Sequence, residues 1–197
     1  MSVTDSDAGQ RSARAAPSPG VDLAELVVVD HKHLSLLLAH LAEGASALWA
    51  DLLCEVANEL VRHQAVVKQV LYPAIAEHAP NGAEVVRQRV AEDAEALRLL
   101  GGLERAGRDR PGFEEMVGGM EAALHRHREV EELAVVPMLL DHLAQAELAQ
   151  LVERYRRAKS AAPRHAHPHG PDQPADPIVP APLSVLVDQV YAALRDI

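Results

Sequence analysis

The sequence predicts an all-α protein built as an up-down-up-down four-helix bundle, and three observations predict it. A histidine followed ten residues later by a proline occurs twice, as His63 to Pro73 in HQAVVKQVLYP and as His127 to Pro137 in HREVEELAVVP. Each copy has an upstream partner in matching register: Leu34, Leu37, Leu38 and Leu41 follow His31 at the offsets where Ala96, Leu99, Leu100 and Leu103 follow Asp93. The copies stand 62 residues apart from His31 to Asp93 and 64 apart from His63 to His127, so one two-helix unit is used twice. Finally, 48% of the 197 residues are apolar, mostly Leu, Ala and Val with only five aromatics. That composition favours helix over sheet and can fill one core.

The elements follow in order. Residues 1–20, rich in Ser, Ala, Gly, Pro and charge without periodicity, read as a disordered tail. A bundle domain then spans 21–159. Its first helix runs from Val21 or Asp22 to Glu43, with Gly44 as the stop. The second starts near Ser46 and carries His63 to Tyr72, where Pro73 removes a backbone donor and should kink or end it. Pro80, Asn81 and Gly82 form the turn into a third helix, Ala83 to Ala106, which the Gly101-Gly102 pair should weaken by about 1 kcal/mol per glycine. Pro111 suits the first turn of the fourth helix, which carries His127 and Glu131 toward Pro137. A further segment runs from Asp141 to Lys159. Residues 160–182, with seven prolines and the run RHAHPHG, read as a linker. Residues 183–197 place Leu183, Val185, Leu186, Val190 and Leu194 at amphipathic spacing. They are expected to form a short helix docking on the bundle or on a partner, a route to self-association.

Charge and cysteine content narrow the function. A formal net charge of −10 with no basic run argues against nucleic acid as a partner. The first twenty residues lack the apolar core of a signal peptide, and no stretch reaches the roughly 18 apolar residues of a membrane span, so a cytoplasmic protein without a membrane partner is expected. The single cysteine, Cys54, has no partner for an internal disulfide and reads as a buried small hydrophobe.

The polar residues inside the leucine pattern carry the chemistry. His127 and Glu131, four apart on a helix, share one side and can bind the same metal. His31 and His63 occupy comparable positions on the first two helices, and Asp93 repeats His31 on the third. Burying five such groups is costly unless they pair or hold a cation. His33 and His125 lie two residues from a candidate, about 200° round the helix, and should face away. His40, His78 and His142 are expected at the surface, as is Glu59, one turn before His63. The His165, His167 and His169 tract reads as solvated linker. No phosphate-binding glycine loop, zinc-spaced cysteine pair or nucleophile elbow is present.

The pattern resembles the hemerythrin-like, HHE cation-binding family, whose members place a histidine on the first helix, His-x-x-x-Glu on the second, a histidine on the third and His-x-x-x-Glu on the fourth. DHKHL supplies His31, HQAVVKQVLYP supplies His63, and HREVEELAVVP supplies His127 and Glu131 with the family's Glu-Glu and downstream proline. The resemblance covers about residues 22–142, and the linker and final segment are similar to tails of actinobacterial members. It implies metal ligands His31, His63, Asp93, His127 and Glu131, with one or two irons per chain. Two positions depart from the pattern: Val67 stands where a carboxylate is expected, and Asp93 where a histidine is expected. Occupancy by two metals, one or none therefore stays open. The resemblance implies a non-haem iron protein that binds or senses oxygen, nitric oxide or peroxide, with enzyme status undecided. The alternative is a metal-free helical interaction module, which Val67 motivates.

Overall fold

The computed structural model describes residues 19–43 and 46–162. The readings made for the N-terminal tail, the Pro/His-rich linker and the final amphipathic segment lie outside the described residues, apart from the first residues of α1 and the last of α7. The described chain is helical with no strand. Helix α1 (Pro19–Glu43) is followed by a 3₁₀ turn at Ser46–Leu48 and by α2 (Trp49–Val66), which passes through a π-helical turn at Val67–Leu71 into α3 (Tyr72–His78). Helix α4 (Gly82–Ala106) runs back, α5 (Phe113–Val130) passes through a second π turn at Glu131–Val135 into α6 (Val136–His142), and α7 (Gln145–Ala161) closes the order. Helices α1, α2–α3, α4 and α5–α6 form the bundle, with α4 packed on α5 and α3, α1 on α2 and α5, and α7 laid against α1 and α2.

The two prolines explain the two π turns. A proline within a helix lacks an N–H and its ring collides with the carbonyl four residues back. The helix widens rather than ending: the Tyr72 N–H donates to the Val67 carbonyl five residues back, and the Val136 N–H to the Glu131 carbonyl. Each rod then continues past its proline, so where a kink or an end was expected at Pro73 there is a single widened turn. Such π turns concentrate at functional sites.

The connections are set by backbone geometry. A Cβ at Gly82 would lie 1.9 Å from the Ile75 carbonyl oxygen, so the return from α3 into α4 accepts only glycine there. Gly112 takes φ +88° immediately before α5, which begins at Phe113. Pro111 thus belongs to the turn and not to the helix, because the left-handed Gly112 interrupts the backbone after it. Gly101 and Gly102 lie within an unbroken α4, where Gly102 sits so close to the end of Met116 that a Cβ would meet it at 3.3 Å. Ala144, in extended conformation, separates α6 from α7, so the last helix starts at Gln145 rather than Asp141.

The core is divided in two. One apolar cluster joins Leu23 and Val27 of α1 to Val66, Leu71, Ile75, Leu139 and the α7 residues Leu148, Val152 and Tyr155. The other joins Leu34, Leu38 and Leu41 to Val56, Leu60, Leu100, Leu103, Val117, Met120 and Leu124. Full burial of each such leucine contributes roughly 1.5–3 kcal/mol. On α1, α2 and the α5 rod, the residues between the two clusters are His31, His63, and His127 with Glu131; on α4 the residue at that level is Asp93.

Candidate metal centre

Between the two clusters, every bundle rod turns a polar side chain inward. His31, His63 and Glu131 are fully buried, and His127 and Asp93 nearly so. Glu131 stands at the middle: its carboxylate lies 3.3 Å from His31 Nε2, 3.6 Å from His63 Nε2 and 3.5 Å from His127 Nε2. His63 Nε2 and His127 Nε2 are themselves 3.4 Å apart. One ligand atom from each of these four residues falls within 4.8 Å of all the others. The spacing of His127 and Glu131 on one rod, and the repeated register of His31 and His63, are what bring the four together.

Burial and neighbouring charges shift the titration of His31, His63 and Glu131. Burial pushes the His31 ring below the ordinary histidine value, against the pull of Glu131 and Glu132. Burial also opposes a charged His63, but Asp30 and Glu131 outweigh it and raise its pKa to about 9. Burial likewise opposes ionisation of Glu131, yet the three imidazoles hold its carboxyl well below the usual carboxylate range. His31 Nε2 and both Glu131 oxygens are buried without a hydrogen bond. Three nitrogens and one carboxylate oxygen, buried and aimed at a common point, suit a transition metal such as iron or manganese.

Each imidazole is held from behind. His31 Nδ1 is 2.9 Å from Glu132 Oε1. His63 Nδ1 faces Asp30 Oδ2 at 3.6 Å, and Asp30 accepts a hydrogen bond from the Tyr155 hydroxyl at 2.7 Å and pairs with Lys159 Nζ at 3.1 Å. His127 Nδ1 faces Asp93 Oδ1 at 3.9 Å, and Asp93 Oδ2 accepts from the Tyr72 hydroxyl at 2.9 Å and lies 3.4 Å from Lys68 Nζ. Asp93 is thus beside the converging group, behind His127, rather than within it. Carboxylates in this position fix the tautomer and orientation of a ligating imidazole.

Residues 22–139 match the family model described as the hemerythrin HHE cation binding domain. The chain belongs to the hemerythrin HHE family. An uncharacterized hemerythrin-like protein of Schizosaccharomyces pombe is 23% identical over 133 residues, which are 67% of this chain and 66% of that protein. No solved structure matches the chain. The matched HHE region ends before α7, yet Tyr155 and Lys159 of α7 grip the carboxylate behind His63. The residues behind His63 in this chain therefore include two from a helix outside the matched segment.

The remaining candidates divide cleanly. His33, His40, His125 and His142 are exposed and His78 is half-buried on α3, away from the centre. Glu59 corrects the solvated reading: it is buried, bonded by Arg62 Nη1 at 2.9 Å and by Lys159 Nζ, and these cations hold its pKa down against burial. It sits in the ion cluster behind Asp30, outside the four converging ligands. Cys54 is half-buried and bonded by Asn58; burial pushes its thiol up, which suits an inert position. Asp30, Glu132, Tyr72, Tyr155 and Lys159 escaped the sequence reading. Adjacency to His31 and Glu131 was the available signal for Asp30 and Glu132, and the i,i+4 spacing of Tyr155 and Lys159 was the signal on α7. Among the described residues, no helix is long and apolar enough to cross a membrane.

Proposed function

We propose that the chain holds iron through His31, His63, His127 and Glu131 and presents it to a small ligand, oxygen, nitric oxide or peroxide, as a binding or sensing protein. One observation carries this reading: four buried donor atoms of the right chemistry lie within 4.8 Å of one another, and three side-chain atoms of His31 and Glu131 at their centre make no hydrogen bond. Leaving such groups buried without a cation is costly. Bound iron would supply Lewis acidity and a one-electron change of oxidation state at an open coordination position. The protein does the rest. Glu132, Asp30 and Asp93 aim the three rings, Glu131 contributes the negative charge, and the two apolar clusters keep bulk water from the layer. His63 would hold the metal through a deprotonated Nε2, with Asp30, held ionised, beside Nδ1 to orient the ring.

The alternative, a metal-free interaction module, draws support from Val67, which is fully buried among apolar residues where the other half carries Glu131. Elemental analysis of the full chain produced with iron and then desalted separates the two. At least about half an equivalent of iron, with a spectrum that changes on adding nitric oxide to the reduced protein, is expected. Less than about a tenth of an equivalent of any metal overturns the iron reading.

A further inference from the structure

The duplicated halves can be compared side chain by side chain. His63, Val67, Lys68 and Pro73 stand 64 positions before His127, Glu131, Glu132 and Pro137, and His31 stands 62 before Asp93. Across the bundle, His31 meets two residues of the second π turn: Glu131 at 3.3 Å through Nε2 and Glu132 at 2.9 Å through Nδ1. The repeat mates of those three residues are Asp93, Val67 and Lys68. Asp93 Oδ2 meets Lys68 Nζ at 3.4 Å, and Val67 is fully buried and offers no donor. One half thus presents an imidazole and two carboxylates. The other presents a carboxylate and an ammonium, with a cation at Lys68 where its repeat mate Glu132 is an anion.

We infer that the Lys68 ammonium takes the place of a second cation in this duplicated fold, so that the centre holds one metal ion per chain. The inference rests on the proposal that the His31, His63, His127 and Glu131 cluster binds metal, and it fixes the number. Asp93 Oδ2 is already committed to two donors, the Tyr72 hydroxyl at 2.9 Å and Lys68. Its Oδ1 faces the back of His127, and the Gln64 side chain pins its backbone carbonyl at 3.0 Å. A second divalent ion would have to displace a cation and a hydroxyl from Asp93, sit close to a positive charge, and do so without the carboxylate that Val67 lacks. The Lys68 side chain is a quarter exposed, and its ammonium offsets the charge of a carboxylate that is itself fully buried.

The test counts metal. Full-length protein loaded anaerobically with ferrous iron, or with manganese, and then desalted should hold one ion per chain by elemental analysis. Two per chain overturns the inference while leaving the iron proposal standing, whereas none overturns that proposal and the inference with it. Val67→Glu combined with Asp93→His should stay at one ion while Lys68 is present, and adding Lys68→Glu should raise the count to two. A double variant that already reaches two, or a folded triple variant that stays at one, overturns the role of Lys68. Should the triple variant not fold, Lys68→Glu alone decides. Manganese titration followed by the electron paramagnetic resonance of free manganese should show a second, weaker equivalent, and no second equivalent overturns the inference.

Discussion

His63 and His127 are repeat mates, and each is backed by an aspartate that is itself held by a tyrosine hydroxyl and a lysine ammonium. Behind His63 the chain is Asp30, Tyr155 and Lys159, at 3.6, 2.7 and 3.1 Å; behind His127 it is Asp93, Tyr72 and Lys68, at 3.9, 2.9 and 3.4 Å. The chemistry matches but the sources do not. Tyr72 and Lys68 belong to the repeated unit, on the π turn and α3. Tyr155 and Lys159 come from α7, and Asp30 and Asp93 are not repeat mates, since Glu92 holds the place of Asp30 and pairs with Arg89. Duplication therefore set the backbone and the imidazoles, while the support behind each ring was assembled separately from whichever helix lay nearest.

That comparison can be broken from the centre outward. Glu131→Gln removes the one carboxylate common to all three imidazoles and should cut metal content from about one equivalent to below about a tenth, read by elemental analysis. Asp30→Asn should weaken metal affinity by roughly 10- to 100-fold, because it disturbs the ring behind which α7 is anchored. A Tyr155→Phe change should cost about tenfold in affinity through one lost hydrogen bond to a charged group, measured by competition with a chelator. If the two supports are equivalent, Tyr72→Phe costs the same; a difference would show which imidazole dominates binding. At the other extreme, His125→Ala on the exposed face of α5 should change stability by less than about 0.5 kcal/mol and leave metal affinity unaltered.

Acidity gives a further handle. The folded, metal-free protein holds the His63 pKa up at about 9, above its ordinary value of 6.5. The stability this contributes to the metal-free form is complete below about pH 6.5 and is lost as pH rises through about 9. Metal needs the neutral ring, so affinity should rise by up to about tenfold per pH unit across that window and level off above it, with a proton released on binding. Titration in buffers of different ionisation enthalpy checks the proton count. A flat affinity profile from pH 6.5 to 9 would falsify the protonated resting state of His63.

The sequence exposed the bundle and its four converging residues because both depend on local spacing: leucine periodicity, and a histidine placed at a fixed distance from a proline in two copies. Helix ends at Glu43 and Ala106 were legible for the same reason. What stayed hidden depends on contacts far apart along the chain. Asp30 and Tyr155 are separated by 125 positions, and Glu59 and Lys159 by 100, so nothing in the neighbourhood of Glu59 announces that it is buried. The π turns also escaped, since a proline seen alone predicts a kinked or ended helix, and only the five-residue hydrogen bonds show the wider turn that accommodates it. Asp93 reads as a ligand by register, but its orientation toward His127, Tyr72 and Lys68 is decided by three other helical segments.

The division of the core has a kinetic consequence. With a dry apolar cluster on either side of the polar layer, neither end of the bundle offers a hydrated ion a path along its axis. Side chains in and behind the layer are partly exposed on its flanks, Lys68 by 25%, Glu132 by 23%, Lys159 by 20% and His127 by 10%. A cation with its water shell would need the rods to part further than a small uncharged gas would. Under the proposed metal-binding function, exchange of the ion is expected to follow the rate of local opening rather than affinity.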